Sequence, residues 1–461
     1  MGNSIKELMA IGQQGLVAQK SAMNVISRNI ANANTPGYAR QRLELVAIHQ
    51  PGISIDTGAL ETVRSASIQR SILGAALSYG FHKGKHDILK LAAPALNDIN
   101  GGGISAALDQ FFASFSKLGN DPSGTAERLG VLHSADHLGN TLREASQEII
   151  KAKLEAQFEA QALVDEVNTL SKKVALLNSR ITDDKVGFPD PTPGLKNDRD
   201  LLLNRLSELV GINTVDKANG TVAVFLETGG TLADDTYSNT LKLTGGSLAA
   251  LDVEIIKKDG SVMKPLTRPG GRLGGIMVAR DTVLKKTSDE LDQLAFGFVA
   301  AMNGAHSAGF GLDGSTGNNL FNPIVGVVGA ASRVKLSDDV LGKPEKLAAA
   351  LDPTMLPGDN ANILIMMNLQ NDATVVAGGK TVGEAYDDAM STLAVAKWDA
   401  RRQSDDQEAR VIQFYEMREQ LSGVALHEEM IALNQAERAF SASSQLIKTA
   451  RDMYDVIMRM V

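Results

Sequence analysis

Residues 424–461 read VALHEEMIALNQAERAFSASSQLIKTARDMYDVIMRMV, and the spacing inside that stretch decides the fold. Leu426, Leu433, Phe440, Ile447, Tyr454 and Val461 recur every seven residues. The column one residue earlier is also apolar: Ala425, Ala432, Ala439, Leu446, Met453 and Met460. A seven-residue apolar repeat specifies a helix that buries a seam against another helix. The other end of the chain does the same. Met9, Leu16, Met23 and Ile30 hold that spacing, with Ile26 and Ala33 three residues on from the last two. Chain ends ordinarily fray and drift polar. Both ends here are built to pack, either on each other or on a neighbouring molecule.

Working inward, residues 4–33 read as one helix, closed by Asn34-Thr35-Pro36-Gly37, where proline stops a helix and glycine permits a turn. Leu43, Leu45, Ile53 and Ile55 alternate with polar residues as a strand would. Residues 60–118 look mostly helical, interrupted by Gly101-Gly102-Gly103, and Asp121-Pro122-Ser123 marks a turn. From 125 to 182 the pattern is one long coiled-coil-like helix, its column running through Leu142, Ile149, Ala156, Leu163, Leu170 and Leu177. Asp190-Pro191-Thr192-Pro193-Gly194 reads as a linker and 195–210 as a short helix. Between 211 and 280, short alternating runs are punctuated by Asn219-Gly220, Gly229-Gly230, Gly245-Gly246 and Asp259-Gly260, the signature of antiparallel strands. Helix returns at 281–303 and again from 383 to the end, with a break at Ser422-Gly423.

The expected architecture is multidomain and mainly α, with a small antiparallel β module in the middle. Residues 1–55 form an N-terminal axial segment that pairs with the helix 424–461 as a coiled coil. A helical bundle domain over 56–210 is completed by 281–305 and 383–423. Residues 211–280 form the β-rich module and 306–382 a mixed connecting region.

A net charge of −8 argues against nucleic acid or an anionic membrane as the main partner. With no cysteine, disulfides, thiol catalysis and Cys-ligated zinc are excluded. No segment approaches the roughly 20 apolar residues of a membrane helix. The start, Met1-Gly2-Asn3-Ser4-Ile5-Lys6, shows no basic and apolar secretory signal, and Lys6 stands where N-myristoylation needs a hydroxyl.

Candidate chemistry is sparse. His133 with His137, and His82 with His86, lie four apart on helices, a spacing that suits metal, but neither pair has a third ligand. The Asp313–Asn319 loop has partly calcium-like spacing, yet its twelfth position is Ile324 instead of glutamate. Gly270-Gly271-Arg272-Leu273-Gly274-Gly275 fits neither a phosphate loop nor a dinucleotide fingerprint, and reads as a connector to a helix near Asp281. Ser307 beside His306 lacks a nucleophile elbow. No catalytic residue, cofactor or metal site is expected.

The segment Asn29-Ile-Ala-Asn-Ala-Asn-Thr-Pro-Gly-Tyr-Ala-Arg-Gln41 resembles the N-terminal signature of bacterial flagellar axial proteins, the rod, hook and hook-associated families. Its continuation Tyr38-Ala39-Arg40-Gln41 is most similar to the hook-associated branch. Further motifs in the same order carry the likeness along the chain: Asn120-Asp121-Pro122-Ser123, Asn197-Asp198-Arg199-Asp200, Ala279-Arg280-Asp281-Thr282 and Met302-Asn303-Gly304-Ala305-His306. At the C-terminal end, Gly423-Val-Ala-Leu-His-Glu-Glu429 and Ala439-Phe-Ser-Ala-Ser443 match the family's closing motif. The chain is short for that family, which implies a missing outer domain.

The resemblance implies a non-enzymatic structural subunit of the extracellular flagellum, exported without a cleaved signal and placed where hook meets filament. It implies four partners: the hook protein, a second hook-associated junction protein, further copies in a helical assembly, and a cytoplasmic export chaperone on the C-terminal helix. The assembly interface is expected at Met9, Leu16, Met23, Ile26, Ile30, Leu426, Leu433, Phe440, Ile447 and Tyr454. The signature turn is expected at Asn32, Asn34, Thr35, Pro36, Gly37 and Tyr38. The rival within the class is a hook or distal-rod subunit. A secreted flagellum-associated enzyme is the rival outside it.

Overall fold

The computed structural model describes residues 2–35, 37–46, 56–96, 102–183, 192–246, 249–265 and 267–460. Helix α1 (Gly2–Ala31) leads to the antiparallel pair β1 (Gln41–Val46) and β2 (Asp56–Thr62). Four helices follow: α2 (Ala66–Ala92), α3 (Ile104–Asn120), α4 (Thr125–Asp183) and α5 (Thr192–Val210). Strands β3 (Ile212–Asp216), β4 (Val222–Leu226), β5 (Thr231–Asp234) and β6 (Tyr237–Ser238) form one sheet. A second is built from β7 (Thr240–Thr244), β8 (Asp252–Ile256) and β9 (Val262–Met263). Helix α6 (Gly271–Val278) passes through a π-helical turn, Ala279–Leu284, into α7 (Lys285–Ala308). The chain ends with α8 (Ala361–Asn368), α9 (Val382–Ser422) and α10 (Leu426–Met460).

The mainly helical class and the antiparallel β module stand as expected, though the module is two sheets instead of one. Helix α2 begins at Ala66 and not near 60, because β2 occupies the intervening residues and the Ser65 hydroxyl caps the helix by accepting from the Ile68 amide. Ile53, Ile55, Gly101, Asp190, Pro191 and Val461 lie outside the described residues.

The Gly270–Gly275 connector is corrected to a helix, α6. Its glycines are there for packing. A Cβ on Gly275 would sit 1.9 Å from the Phe81 carbonyl oxygen of α2, and one on Gly274 would sit 2.0 Å from that of Pro269. Glycine lowers helix propensity by about 1 kcal/mol, so the segment reads as a loop. Close approach of two helix backbones overrides that preference.

Helix α4 is the spine, 59 residues and so about 90 Å long. Its first turn is fixed by Arg128, fully buried, which donates to the Pro122 carbonyl at 2.6 and 2.9 Å and to that of Leu347 at 2.7 Å. Further along, two asparagine amides act as substitute peptide groups for strand edges. Asn168 donates to the Leu241 carbonyl (2.8 Å) and accepts from its amide (2.7 Å). Asn178 does the same with Val222, at 2.9 and 3.1 Å. A side-chain amide has the donor and acceptor of a peptide unit, so α4 pairs with both sheets without being a strand.

The helical body closes around a ring cluster in which Phe111 meets Phe115 at 5.1 Å, Phe298 at 5.5 Å and Phe321 at 6.2 Å, mostly edge to face. Residues 309–360 form irregular chain pinned by His306. Its ring, fully buried, lies 2.7 Å from the Asn318 carbonyl and accepts from the Ala348 amide at 3.1 Å. Asn303 holds Phe321 by the two-point arrangement seen on α4, both bonds at 2.9 Å.

Candidate assembly interface

Helices α1 and α10 pack on each other along much of their length. The seven-residue column of α10 enters the line of closest contact at Ile447, while Met9, Leu16, Met23 and Ile30 of α1 lie beside that line. Most of that line is small residues, with Ile5 and Val25 of α1 buried among them. Ala18 and Ser21 on α1, and Ala436 and Ala450 on α10, are buried. A Cβ on Gly12 would lie 2.6 Å from Ile447 Cγ1, and one on Gly15 would lie 2.8 Å from Ser443 Oγ. Small side chains bring two helices close, and Ile447 then fills the notch at Gly12. Met9, Leu16, Met23, Ile26 and Ile30 are half-buried beside this line, and Leu433 and Ile447 of α10 are half-buried too. Leu426, Phe440 and Tyr454 are exposed at 47%, 37% and 41%. Near the far end, Ile5, Leu8, Met453, Val456 and Ile457 line an open apolar groove. The pair of helices therefore leaves a large apolar surface uncovered.

The root of the pair is polar. Asn29, almost fully buried, spends every donor and acceptor of its amide. Its Oδ1 accepts from the Gln41 amide (3.0 Å) and from the Tyr38 hydroxyl (3.0 Å). Its Nδ2 donates to the Gln41 carbonyl (2.9 Å) and to Glu429 Oε2 (3.0 Å). The other Glu429 oxygen takes Arg40 Nε at 2.7 Å, while Arg40 Nη1 reaches Glu428 at 3.0 Å. Glu429 is buried, so its charge needs both partners. Burial pushes the Tyr38 phenol above its ordinary value, which keeps its proton available for Asn29. The Arg40 amide also donates to the Ser422 carbonyl at the end of α9 (2.8 Å).

Around this root the signature turn takes shape. Asn32 Nδ2 donates to the Arg28 carbonyl (2.9 Å), closing the helix end, and Asn32 Oδ1 accepts from the Thr35 hydroxyl (3.3 Å). The Tyr38 amide returns to the Thr35 carbonyl (3.1 Å). Gly37 has φ +81°, the left-handed region that favours glycine. A Cβ there would meet Leu201 of α5 at 2.8 Å. Asn34 is exposed, and Pro36 lies outside the described residues. A cleft of about 560 Å³ opens beside the turn, between α2, α5, β3 and the end of α9. There Arg64 pairs with Asp200 at 2.8 Å, and burial holds the Asp200 carboxyl above the usual carboxylate range despite that cation.

Arg40, Gln41, Glu428 and Glu429 were not expected as functional residues. They stand inside the two motifs that carry the family likeness, one near each end of the chain, and the fold makes those motifs the two halves of one cluster.

The chain's ends and middle match three family descriptions. Residues 93–321 match the flagellar hook-associated protein FlgK helical domain, residues 9–38 the flagella basal body rod protein, and residues 420–460 the flagellar basal body rod FlgEFG protein C-terminal region. Flagellar hook-associated protein 1 of Bacillus subtilis (strain 168) is 25% identical, with 96% of each chain covered. Together these matches support a hook-associated protein identity.

Flagellar hook-associated protein 1 of Salmonella typhimurium is 23% identical, over 98% of this chain and all of that one. The solved structure of the flagellar hook junction protein FlgK from Burkholderia pseudomallei has the same fold. It matches with a TM-score of 0.66 at 15% identity, covering 78% of this chain and all of that one. The family is that of structural components of the extracellular flagellum. Among the described residues no group of three or more His, Cys, Asp or Glu could hold a metal ion. None of their helices is long and apolar enough to cross a membrane.

Proposed function

We propose that this chain assembles on the distal end of the hook and connects it to the filament. The observation that carries this reading is the root cluster, in which Asn29 and Glu429 join the two ends of the chain into one two-helix rod. The rod's exposed flanks, with Phe440, Tyr454 and the groove at Met453, offer the surface that stacking against axial neighbours needs.

On this reading the partners are the hook protein below, a second hook-associated junction protein above, and further copies alongside. Before export, a cytoplasmic chaperone covers α10 at Leu433, Phe440 and Ile447, in the manner of a helix laid in a groove. The chain is structural and carries no catalytic role. A hook or distal-rod subunit is the alternative, supported by the rod-type likeness of residues 9–38 and 420–460. The match of residues 93–321 to the hook-associated helical domain favours the junction.

Electron microscopy of cells lacking the chain tests this function. Hooks without filaments, with flagellin shed into the medium, are expected. Absent hooks would support the rod or hook alternative, and normal filaments would overturn both.

A further inference from the structure

Helices α4 and α9 are outer helices of the helical body, and both α2 and α7 pack against each of them. Each outer helix turns one face inward and leaves the other bare. On α4 the inward column includes Leu142, Ile149, Ala156 and Leu163, all buried. Its opposite side carries Ile150, Leu154 and Phe158, which are 45%, 40% and 70% exposed. Residues four apart are neighbours on a helix surface, so these three form one continuous apolar stripe. On α9 the inward line is Ala389, Leu393, Ala400 and Ser404. The outward side shows Val395 and Trp398, 54% and 61% exposed, and Trp398 is the only tryptophan in the chain.

The charges at the two patches are complementary. Glu155 lies between Leu154 and Phe158 on the exposed side of α4 and has no ion-pair partner among the described residues. Arg402, one turn beyond Trp398, has its guanidinium 5.2 Å from the indole ring and likewise has no carboxylate partner there. A lone exposed leucine is ordinary surface. A stripe of three on one helix and an arginine-stacked tryptophan beside a valine on the other are contiguous patches of the kind that mark interfaces.

The geometry points to a contact between neighbouring copies, in which the Ile150–Leu154–Phe158 stripe of one molecule receives the Val395–Trp398 patch of the next and Glu155 pairs with Arg402. The occupant of each patch is thus a second copy of this chain. The two faces differ and belong to different helices, so the contact is heterologous and propagates from copy to copy instead of closing as a dimer. This inference rests on the self-assembly within the function proposed above, and adds the surface by which it happens laterally.

The absence of native cysteine makes a direct test possible. Cells carrying the full chain with Phe158→Cys and Val395→Cys together are oxidised mildly while swimming. A ladder of dimers, trimers and larger species is expected from the double variant, and none from either single variant. Charge reversal supplies the second measurement. Glu155→Arg alone and Arg402→Glu alone should each lower incorporation about tenfold, and the two together should restore it to within about threefold. Swimming cells that give no ladder would overturn the contact while leaving the junction reading intact. A cross-linked dimer from Phe158→Cys alone would place α4 against α4 and also overturn it. The junction reading itself stands or falls on the deletion strain, without reference to these variants.

Discussion

Asn29 Nδ2 donates to the Glu429 carboxylate at 3.0 Å across 400 residues of chain, and both groups are buried. Replacing Asn29 with Asp keeps the shape and removes both donor hydrogens. It also sets a second carboxylate beside Glu429 and points an acceptor at the Gln41 carbonyl. The joint should lose roughly 3 kcal/mol. Hydrogen exchange should then speed up across 2–31 and 426–460 while the protection of α2, α4 and α7 stays the same. Unchanged exchange in the two terminal helices would show that the cluster does not hold them.

Gly37 should tolerate no β-branched residue. Its φ of +81° and the 2.8 Å approach to Leu201 combine a backbone penalty with a clash against α5. Gly37→Val is expected to weaken the turn by at least 1–2 kcal/mol on the order of the left-handed penalty. Thermal melting of the helical body should not change, and the variant should appear in the medium while cells fail to swim. Normal motility would show that the turn does not set the angle of the rod.

Phe440→Asp should weaken chaperone binding by about tenfold, the effect of losing one moderately important apolar anchor. Phe440 is exposed on α10, so the fold of the isolated chain should survive the change. Calorimetric titration of the purified chaperone into the full chain reads the affinity. Equal binding to a chain truncated at residue 424 would move the site elsewhere.

His306 should make the irregular 309–350 segment acid-sensitive. Its neutral ring accepts from the Ala348 amide through one nitrogen, so the proton sits on the nitrogen facing Asn318. Burial lowers its pKa below the ordinary 6.5. The folded state therefore resists a proton that the unfolded chain accepts. Stability is present above about 6.5 and is lost as pH falls below it. His82 shifts in the same direction through burial and Lys85, so comparison with His306→Gln isolates the effect. Limited proteolysis of 309–350 at pH 7.5 and 5.5 should show accelerated cleavage in acid for the parent chain. The variant should be cut at similar rates at both values.

Long elements were legible because periodicity accumulates. The α4 column from Leu142 to Leu170 is buried as its spacing implies, and the break at Ser422-Gly423 falls where α9 ends. What escaped the sequence has physical causes. A hydrophobic repeat ranks large side chains, but much of the α1–α10 contact line is set by Gly12, Gly15, Ala18 and Ala436, whose value lies in what they leave out. Glycines hid α6 in the same way. The cluster at Asn29 was visible only as two family motifs at opposite ends of the chain, because no local pattern reports a hydrogen bond to a residue 400 positions away.

That separation also orders events in time. Closing so long a loop is entropically costly until the chain between has become compact, whereas α2, α5 and the end of α9, which frame the root of the rod, belong to the helical body. The body must therefore take shape first, and Asn29 and Glu429 meet last. Until they do, a newly made molecule has a finished body and an unlatched rod, and under the proposed function a copy is ready to stack only once that latch has closed.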